Sequence, residues 1–545
     1  MWRLVFFYGF LDFEIFNEIG CDFMGIMEIE NFNSKYIIKR LMRFGKDGRD
    51  MVSIVKFVFD VGLESLFEHI NGKFSSNLGR RAYPREMLMI VLLYAYYEGK
   101  REYVEIEKSI LLNKIYSVVT FNKVISAKTF ERFMDNLDLN AVETIFELVL
   151  KIAEEYDFLD TAIINMDGTI GLTSGSKYHK IYPDELETLI LAKKYGILLK
   201  SHKSKEESLK ILEKKIKYHQ NSPEIVEILE KMCLKPQLFT TYISTKIKLF
   251  KKEFDNHEGL KFLFVNNPEA RLMKTKNGNF DACLNPQITV NNNYIITSAM
   301  VSQKTTDNQL FPDTAEDFIK TLRAVKKYES VSELLKNTIF NSDNGYFSNI
   351  ALEYIFNNNI NAILDTRLKI IEENEDYLLN ADQIKKLGRL NLKKNLKYKP
   401  SKNQYYCFKN KPFTLTNVKT AKNKLNEIYN IPEDFLIKNW EYTNWSCVDC
   451  EYKDACAKGG DYRTITDTIS TLNQTMRQIR HTPLGNHIYQ YRWKTVETIF
   501  AYFKGKDGIL RFLSKNLINT QKEIKLMSIA YNLKRITNLK GTAYL

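Results

Sequence analysis

The sequence predicts an α/β protein in which a mixed β-sheet is flanked by helices, and three observations support this fold class. Between residues 35 and 150, apolar side chains recur every three or four positions, which is typical of helices. After Thr161, short apolar runs of strand length begin, and turns or helical patterns follow them. Their order (strand, strand pair, helix, strand, helix, strand) indicates a mixed sheet with helices on its faces.

The individual elements follow from the same patterns. Asn291, Asn292 and Asn293 form a good turn between two of the strands, and Ser126 is a suitable N-cap for a helix. The predicted strands cover residues 162–166, 287–290, 294–301, 338–342 and 360–364. Further predicted helices cover residues 84–97, 313–328, 349–356, 491–504 and 520–535.

Length and charge set outer limits on function. The 545 residues are enough for two to four domains, and 79 Lys and Arg against 66 Asp and Glu give a formal net charge of +13. A basic surface favours a polyanionic partner such as nucleic acid, although an AT-rich genome also enriches a sequence in Lys, Asn and Ile. The most apolar run, residues 87–97, is about half of the roughly 20 residues that span a bilayer. We therefore expect a cytoplasmic protein.

Two aspartates stand where predicted strands end. Asp167 and Asp343 each follow an apolar run and precede a glycine by one or two residues, which predicts that both lie at the carboxyl edge of the sheet. Glu497 lies on a predicted helix whose opposite side is apolar, and Lys504 follows it two turns later on the same side. Taken singly, each aspartate is more often a turn residue or helix cap, and the Glu497–Lys504 face is more often merely solvated.

Such carboxylates suit phosphodiester chemistry. Two divalent metal ions can activate an attacking oxygen and stabilise the leaving oxygen. Mg²⁺ prefers hard oxygen ligands, so a protein needs to supply only a few carboxylates that converge from distant parts of the chain.

A basic helix and a cysteine group are further candidates. Lys128 and Arg132 face outward on the helix that begins at Ser126, where they could contact DNA or simply be solvated. Cysteines in the second half of the chain have spacing that suits a structural zinc site, the alternative being reduced thiols in a loop. The four candidate ligands are Cys407, Cys447, Cys450 and Cys456.

Several motifs, taken in order, resemble the DDE transposases of insertion sequences, in the branch whose final Glu lies in a Tyr-Arg-Glu-Lys motif. These motifs are Met166-Asp167-Gly168-Thr169, Ser342-Asp343-Asn344-Gly345-Tyr346-Phe347, Thr495-Val496-Glu497 with Phe500 and Lys504, and Pro268-Glu269-Ala270-Arg271. The resemblance covers roughly residues 60–540. It implies an RNase H-like mixed sheet, preceded by an all-helical domain and interrupted by two insertions.

The sequence patterns and the resemblance together predict a domain layout. We expect an N-terminal extension in 1–34, a helical DNA-binding domain in 35–155 and a catalytic core in 156–366 that contains a helical insertion, 183–262. A basic, cysteine-containing insertion would fill 367–485, and the C-terminal helices in 486–545 would complete the catalytic core.

The roles of the family's residues carry over to matching positions. Asp167, Asp343 and Glu497 would hold two Mg²⁺ or Mn²⁺ ions, while Arg492 and Lys504 would contact DNA near the cleaved end. Four residues separate Arg492 from Glu497 where the usual pattern has three, so the arginine departs from the motif.

Three further residues are candidates for the site. Tyr489 is the matching tyrosine of the motif and would also contact DNA. Trp493 could stack on an unpaired base, although packing within the helix is the commoner role of such a residue. Asp307 is a competing acidic residue that we interpret as a turn or helix-entry residue.

The predicted activity is cleavage at insertion-sequence ends and strand transfer into target DNA. The partners would be double-stranded DNA, with its terminal inverted repeats and target, and a second copy of the chain when the ends are paired. On DNA the protein would associate with the nucleoid. The alternatives are an RNase H-fold nuclease without strand transfer and a catalytically silent DNA-binding descendant. The seven histidines form no pair at ligand spacing, and no Walker-type loop or dinucleotide fingerprint indicates a nucleotide cofactor.

Overall fold

The computed structural model describes residues 32–62, 83–200, 204–326, 328–366, 368–371, 375–422, 433–505 and 508–541. Almost all of the predicted N-terminal extension, together with Cys21, lies outside these residues. The chain divides into two compact units: one comprises Met1–Val149 and Lys525–Leu545, the other Leu150–Ile524. No helix among the described residues is both long and apolar enough to span a membrane.

All the secondary structure described between residues 34 and 155 is helical. The α-helices are α1 (Ser34–Leu41), α2 (Gly45–Asp60), α3 (Arg85–Tyr97), α4 (Tyr103–Leu112), α5 (Lys114–Thr120), α6 (Ala127–Asn136) and α7 (Leu139–Glu155). In α3 every side chain from Met87 to Tyr97 is buried, as the continuous apolar run predicted. In α6 the side chains of Phe130 and Phe133 are buried, whereas Lys128 and Arg132 are exposed.

The second unit begins with strands and then a helical insertion. The elements are β1 (Ile163–Gly168), β2 (Gly171–Leu172), β3 (Lys180–Ile181), α8 (Pro183–Lys194), α9 (Lys205–Tyr218), α10 (Pro223–Leu234), α11 (Thr241–Ser244), α12 (Ile247–Asn256) and β4 (Leu263–Phe264). Leu189, Leu212, Leu229 and Phe250 come from four of these helices and are fully buried in one cluster, so the insertion has its own apolar core.

The following segment contributes the remaining inner strands of the main sheet. Its elements are β5 (Arg271–Lys274), β6 (Phe280–Val290), β7 (Ile296–Ser302), α13 (Phe311–Val325), α14 (Tyr328–Asn337), β8 (Ile339–Ser342), α15 (Asn349–Asn357) and β9 (Asn361–Leu364). Strand β1 pairs antiparallel with β6 and parallel with β8, β6 pairs antiparallel with β7, and β8 pairs parallel with β9. The predicted mixed sheet flanked by helices is therefore confirmed.

The cysteine-containing insertion is mainly a second sheet. Its elements are α16 (Ala381–Lys386), β10 (Lys397–Lys399), β11 (Gln404–Tyr406), β12 (Pro412–Thr420), β13 (Ile437–Asn444), α17 (Lys453–Ala457) and β14 (Arg463–Ser470). The five strands pair antiparallel in chain order. Tyr398, Tyr405, Phe413 and Tyr442 fill the core beneath them. The sequence patterns had not predicted these strands.

The chain ends with α18 (Thr471–Arg480), α19 (Pro483–Lys504), β15 (Leu510–Arg511) and α20 (Leu517–Lys540). Helix α19 begins eight residues before the predicted start because the Thr482 side chain caps it and Pro483 occupies its first position. Strand β15 extends the main sheet by pairing parallel with β2. Contacts group residues 525–545 with the N-terminal helices, whereas the sequence prediction assigned all of 486–545 to the catalytic core.

Candidate active site

Parallel pairing of β1 and β8 brings two predicted site residues to one edge of the sheet. Asn165 in β1 lies opposite Asn341 in β8. Asp167 and Asp343 each follow two residues later, so the two carboxylates leave the sheet at the same level. This shared edge is what the apolar run and the following glycine predicted for each aspartate.

The backbone of each turn holds one oxygen of its aspartate. The N–H of Gly168 donates to Asp167 Oδ1 at 2.9 Å, and the N–H of Gly345 donates to Asp343 Oδ1 at 2.8 Å. The Tyr346 ring, which follows Gly345, is fully buried, and its hydroxyl donates to Gln287 Oε1. These bonds fix the position of both carboxylates and leave Oδ2 of each aspartate directed elsewhere.

Helix α19 is joined to the two strands by buried asparagines. The side-chain amide of Asn341 donates to Asn165 Oδ1 at 2.8 Å and to the Ile488 carbonyl at 2.9 Å. Arg492 follows Ile488 by four positions and therefore lies on the same side of α19, facing the sheet edge. The helix thus positions Arg492 beside the aspartates, with Glu497 about one turn further on.

Three carboxylates surround the Arg492 guanidinium. Its Nη2 atom lies 2.9 Å from Asp167 Oδ2 and 3.5 Å from Asp343 Oδ2, while Nη1 lies 3.6 Å from Glu497 Oε1. The arginine side chain is only 6% exposed, against 45% for that of Glu497. The structure therefore brings together the predicted triad, and it places a buried cation among the three acids.

Burial and neighbouring charges have opposing effects on the pKa values of Asp167 and Arg492. Burial raises the pKa of Asp167 to about 7, and the neighbouring Arg492 cation opposes that rise. Although burial acts against it, the charges of Asp167 and Asp343 hold the pKa of Arg492 above its usual value. Arg492 therefore remains a cation at any ordinary pH.

A fourth carboxylate, Asp307, belongs to the same site. Its Oδ1 atom accepts hydrogen bonds from the side-chain amides of Asn285 at 2.8 Å and Gln287 at 3.0 Å. Burial raises the pKa of Asp307, while these two hydrogen bonds lower it. A Cβ atom on Gly168 would lie 2.9 Å from Asp307 Oδ1, and one on Gly345 would lie 3.4 Å from Oδ2. The residue forms a 3₁₀ turn, as interpreted from the sequence, and also lines the site.

The signal for Asp307 in the sequence is its position shortly after a strand of the main sheet. Its neighbours in space, the glycines beside Asp167 and Asp343, could not be read from the sequence.

Lys504 lies in a cleft of about 290 Å³ next to the triad. Gly168, Thr169 and Asp307 line this cleft together with the basic residues Lys274, Lys276 and Lys504. Burial, together with the nearby Lys276, lowers the pKa of Lys504 to about 8. Two ammonium groups side by side form a site that attracts an anion.

Tyr489, a predicted DNA contact, lies inside the protein. Its side chain is 8% exposed, and its hydroxyl lies 3.3 Å from Asp365 Oδ2. The Arg480 guanidinium lies 3.7 Å from the centre of its ring. These internal partners give Tyr489 a structural position and do not support direct contact with DNA; the same holds for the buried Arg492.

Trp493, by contrast, lies on the surface. Its side chain is 58% exposed, which disfavours the alternative in which it packs within the protein. In the other compact unit Lys128 and Arg132 also remain exposed on α6, where Lys128 forms an ion pair with Glu131 at 2.6 Å.

The donor chemistry of the triad suits a hard divalent cation. Asp167 Oδ2, Asp343 Oδ2 and Glu497 Oε1 are carboxylate oxygens that already surround one positive group. In this arrangement, no three His, Cys, Asp or Glu side chains of the described residues form a ready metal-binding cluster. The oxygens are of the right kind, and the guanidinium lies between them.

The four predicted zinc ligands line one small cavity in the cysteine-containing insertion. Cys407, Cys447, Cys450 and Cys456 all carry free thiols there, with Arg463 beside them. Burial raises the pKa of Cys456 to about 11, and the charge of Arg463 opposes that rise. The thiols are close together but do not have the geometry of a metal site.

Comparison with known proteins finds a family match for one segment of the chain. Residues 419–537, about a fifth of the chain, match the family model described as a transposase DDE domain. The matched segment includes Arg492, Glu497 and Lys504, and it excludes Asp167 and Asp343. No curated protein and no solved structure matches the chain. The match confirms the predicted resemblance of the chain to the DDE transposases of insertion sequences.

Proposed function

We propose that this transposase cleaves DNA at the ends of an insertion sequence and joins those ends to target DNA, using Asp167, Asp343 and Glu497 as metal ligands. One observation carries the proposal. The three carboxylates come from a strand end, a turn and a helix spread over about 330 positions of the chain, and each lies within 3.6 Å of the same guanidinium.

The strand order supports the RNase H-like form of the sheet. Strands β7, β6 and β1 are antiparallel neighbours, and β8 and β9 continue the sheet parallel to β1. Asp167 and Asp343 then occupy adjacent strands at the sheet centre, and α19 packs against both. This arrangement is the one that the family resemblance implies for a DDE triad.

The chain's own residues would position the reacting groups. Two Mg²⁺ or Mn²⁺ ions, when bound, supply activation of the attacking oxygen and stabilisation of the leaving oxygen. Asp167 and Asp343 are held by the backbone turns and present Oδ2 to the shared centre. Glu497 is the most exposed of the three, and it would complete the ligand set and help to orient the attacking water or 3′ hydroxyl. Each step hydrolyses or exchanges one phosphodiester, so no nucleotide cofactor is required.

The basic cleft would bind the DNA backbone beside the reacting phosphate. Lys504 and Lys276 attract phosphate oxygens, and the bound anion would offset the repulsion between their positive charges. Exposed Trp493 on α19 would stack on an unpaired base at the cleaved end. In the helical unit, Lys128 and Arg132 would contribute to binding of the terminal inverted repeats.

We also propose two assembly features. A homodimer would hold two insertion-sequence ends together, because both ends must be cut and joined in one reaction. A structural zinc ion would bind Cys407, Cys447, Cys450 and Cys456 after their thiols lose protons, stabilising the insertion that contains the second sheet.

An end-cleavage assay tests the main proposal. Purified protein is mixed with Mg²⁺ or Mn²⁺, end-labelled DNA that carries the element's terminal repeats, and a target plasmid. We expect cleavage that frees 3′ hydroxyl ends, followed by their covalent joining to the plasmid. Cleavage without joining would identify a nuclease. Binding of the repeats without nicking in either metal would identify a catalytically silent DNA-binding protein.

A further inference from the structure

We infer that Arg492 is the resident cation of the metal-free active site: its guanidinium holds the three carboxylates together and must leave them when divalent cations bind. The inference rests on the proposed function, since it takes Asp167, Asp343 and Glu497 as the metal ligands. It gives Arg492 a role in metal binding that differs from the DNA contact implied by the family resemblance.

The guanidinium and a metal ion would use the same oxygens. Oδ1 of Asp167 and Oδ1 of Asp343 already accept backbone N–H groups from Gly168 and Gly345. Oδ2 of each aspartate faces Arg492, as does Oε1 of Glu497. In both aspartates, the oxygen that accepts no backbone hydrogen bond is the one that the arginine contacts, so a metal ion bound through these oxygens would compete with the guanidinium.

The charge balance explains why a cation lies there. Three carboxylates, with Asp307 as a fourth nearby, would repel one another at a largely buried site. Among the residues that the structure describes, no cationic side chain other than Arg492 forms an ion pair with Asp167, Asp343 or Glu497. One positive charge offsets part of this repulsion and keeps the carboxylates close enough together to receive metal.

Arg492 can make way only by moving. A guanidinium does not lose its proton at any ordinary pH, so metal binding cannot neutralise it in place. Divalent cations bring a larger charge to the same oxygens and would displace the guanidinium from the centre. The displaced side chain would remain anchored on α19.

Metal titration of the DNA-free protein tests this exchange without relying on activity. Binding of Mn²⁺ is measured by isothermal titration calorimetry, and thermal unfolding is measured in EDTA and in Mn²⁺. We expect Arg492→Gln to lower Tm in EDTA, because three acids lose their cation, and to bind Mn²⁺ about tenfold more tightly or better. The increase in Tm caused by Mn²⁺ should therefore be larger in the variant than in the wild type.

Arg480→Gln is the matched control. Arg480 is also a buried arginine paired with an aspartate, since its Nε lies 3.0 Å from Asp365 Oδ1, but it does not contact the triad. Its loss should lower Tm and leave Mn²⁺ affinity unchanged. Arg492→Lys retains a charge without the planar fork and should bind Mn²⁺ more tightly than the wild type. If Arg492→Gln does not fold, Arg492→Lys becomes the decisive variant.

The outcomes separate this inference from the proposed function. Unchanged or weaker Mn²⁺ binding in the Arg492 variants, with binding that still depends on Asp343, overturns the exchange alone. Mn²⁺ binding that neither Asp343→Asn nor Glu497→Gln reduces would remove the proposed metal site itself.

Discussion

The Arg492 guanidinium lies 2.9 Å from the Asp167 carboxylate, where helix α19 packs against the end of strand β1. This contact joins two segments separated by more than half of the chain and two insertions. A contact this short requires α19 to pack closely against β1, so there is little space for larger side chains between them. Substitutions that change this spacing should therefore affect the site before they affect the fold.

Gly168→Ala should disrupt the site because the chain has no room for a side chain there. A Cβ atom at this position would lie 2.1 Å from Gln287 Nε2 and 2.9 Å from Asp307 Oδ1. Gln287 would have to move and would lose its bonds to Asp307 and Tyr346. We expect a loss of about 1–3 kcal/mol in the free energy of unfolding, measured by urea titration, together with loss of end cleavage.

Gly175→Ala is the matched control for this substitution. The nearest atom to a Cβ at Gly175 is 3.4 Å away, on Asn267, so the added methyl group should fit. This variant should retain the stability and cleavage rate of the wild type. If Gly168→Ala behaved in the same way, the packing described around Asp307 would be wrong.

Asp343→Asn should abolish cleavage and preserve binding to the terminal repeats. The amide keeps the shape of the side chain but removes the charge that a divalent cation requires, and metal assistance is worth several kcal/mol. We expect the cleavage rate to fall on the order of a hundredfold or more, measured with end-labelled DNA. Gel-shift affinity without metal should change little. Retained cleavage would remove Asp343 from the catalytic triad.

The strands that carry Asp167 and Asp343 could be predicted because their signals are local. Each strand is a short apolar run followed by an aspartate and a glycine. These local features are sufficient to indicate a strand and the turn that ends it. The second sheet escaped prediction because β12 is largely exposed, and its apolar alternation stops after Leu415, where the pairing register shifts.

The contact set of Arg492 could not be predicted for a different reason. Neither the spacing of Arg492 and Glu497 along α19 nor any local pattern indicates which distant acids meet the guanidinium. Asp307 illustrates the same limit, because a turn residue and a site residue look alike until the neighbouring strands are in place.

Zinc content tests the cysteine cavity. Cys456 and its three neighbours line one small cavity, and burial raises the pKa of the Cys456 thiol. Binding of zinc would require the thiols to lose their protons. We expect about one zinc per chain by atomic absorption, and loss of that zinc in Cys447→Ser.

Cys233→Ser serves as the control for the zinc measurement, because Cys233 is a free thiol in the helical insertion, away from the cluster. Its zinc content should equal that of the wild type. Protein that carries no zinc when grown and purified with the metal, and whose four cysteines all react with a thiol reagent, would show that they are simply reduced thiols.

The DNA affinity of the basic cleft should depend on pH through Lys504. Burial and the nearby Lys276 lower the pKa of Lys504 to about 8, so its ammonium form becomes scarce as pH increases from 7 to 9. A phosphate binds the charged form. Affinity for a short end-containing duplex, measured by fluorescence anisotropy without metal, should therefore fall by up to about tenfold over this range.

Lys504→Arg separates this effect from other titrations, because a guanidinium stays charged throughout the range. Its affinity should remain nearly constant between pH 7 and 9, whereas Lys504→Gln should bind weakly at both pH values. The slope of log affinity against log salt concentration should also become shallower in Lys504→Gln. The expected change is roughly 0.9, which corresponds to the loss of one phosphate contact.

Lys274→Arg, a change at an exposed lysine of the same cleft, should keep the wild-type pH profile. If Lys504→Arg lost affinity with increasing pH as the wild type does, the titrating group would lie elsewhere and Lys504 would not be the phosphate ligand.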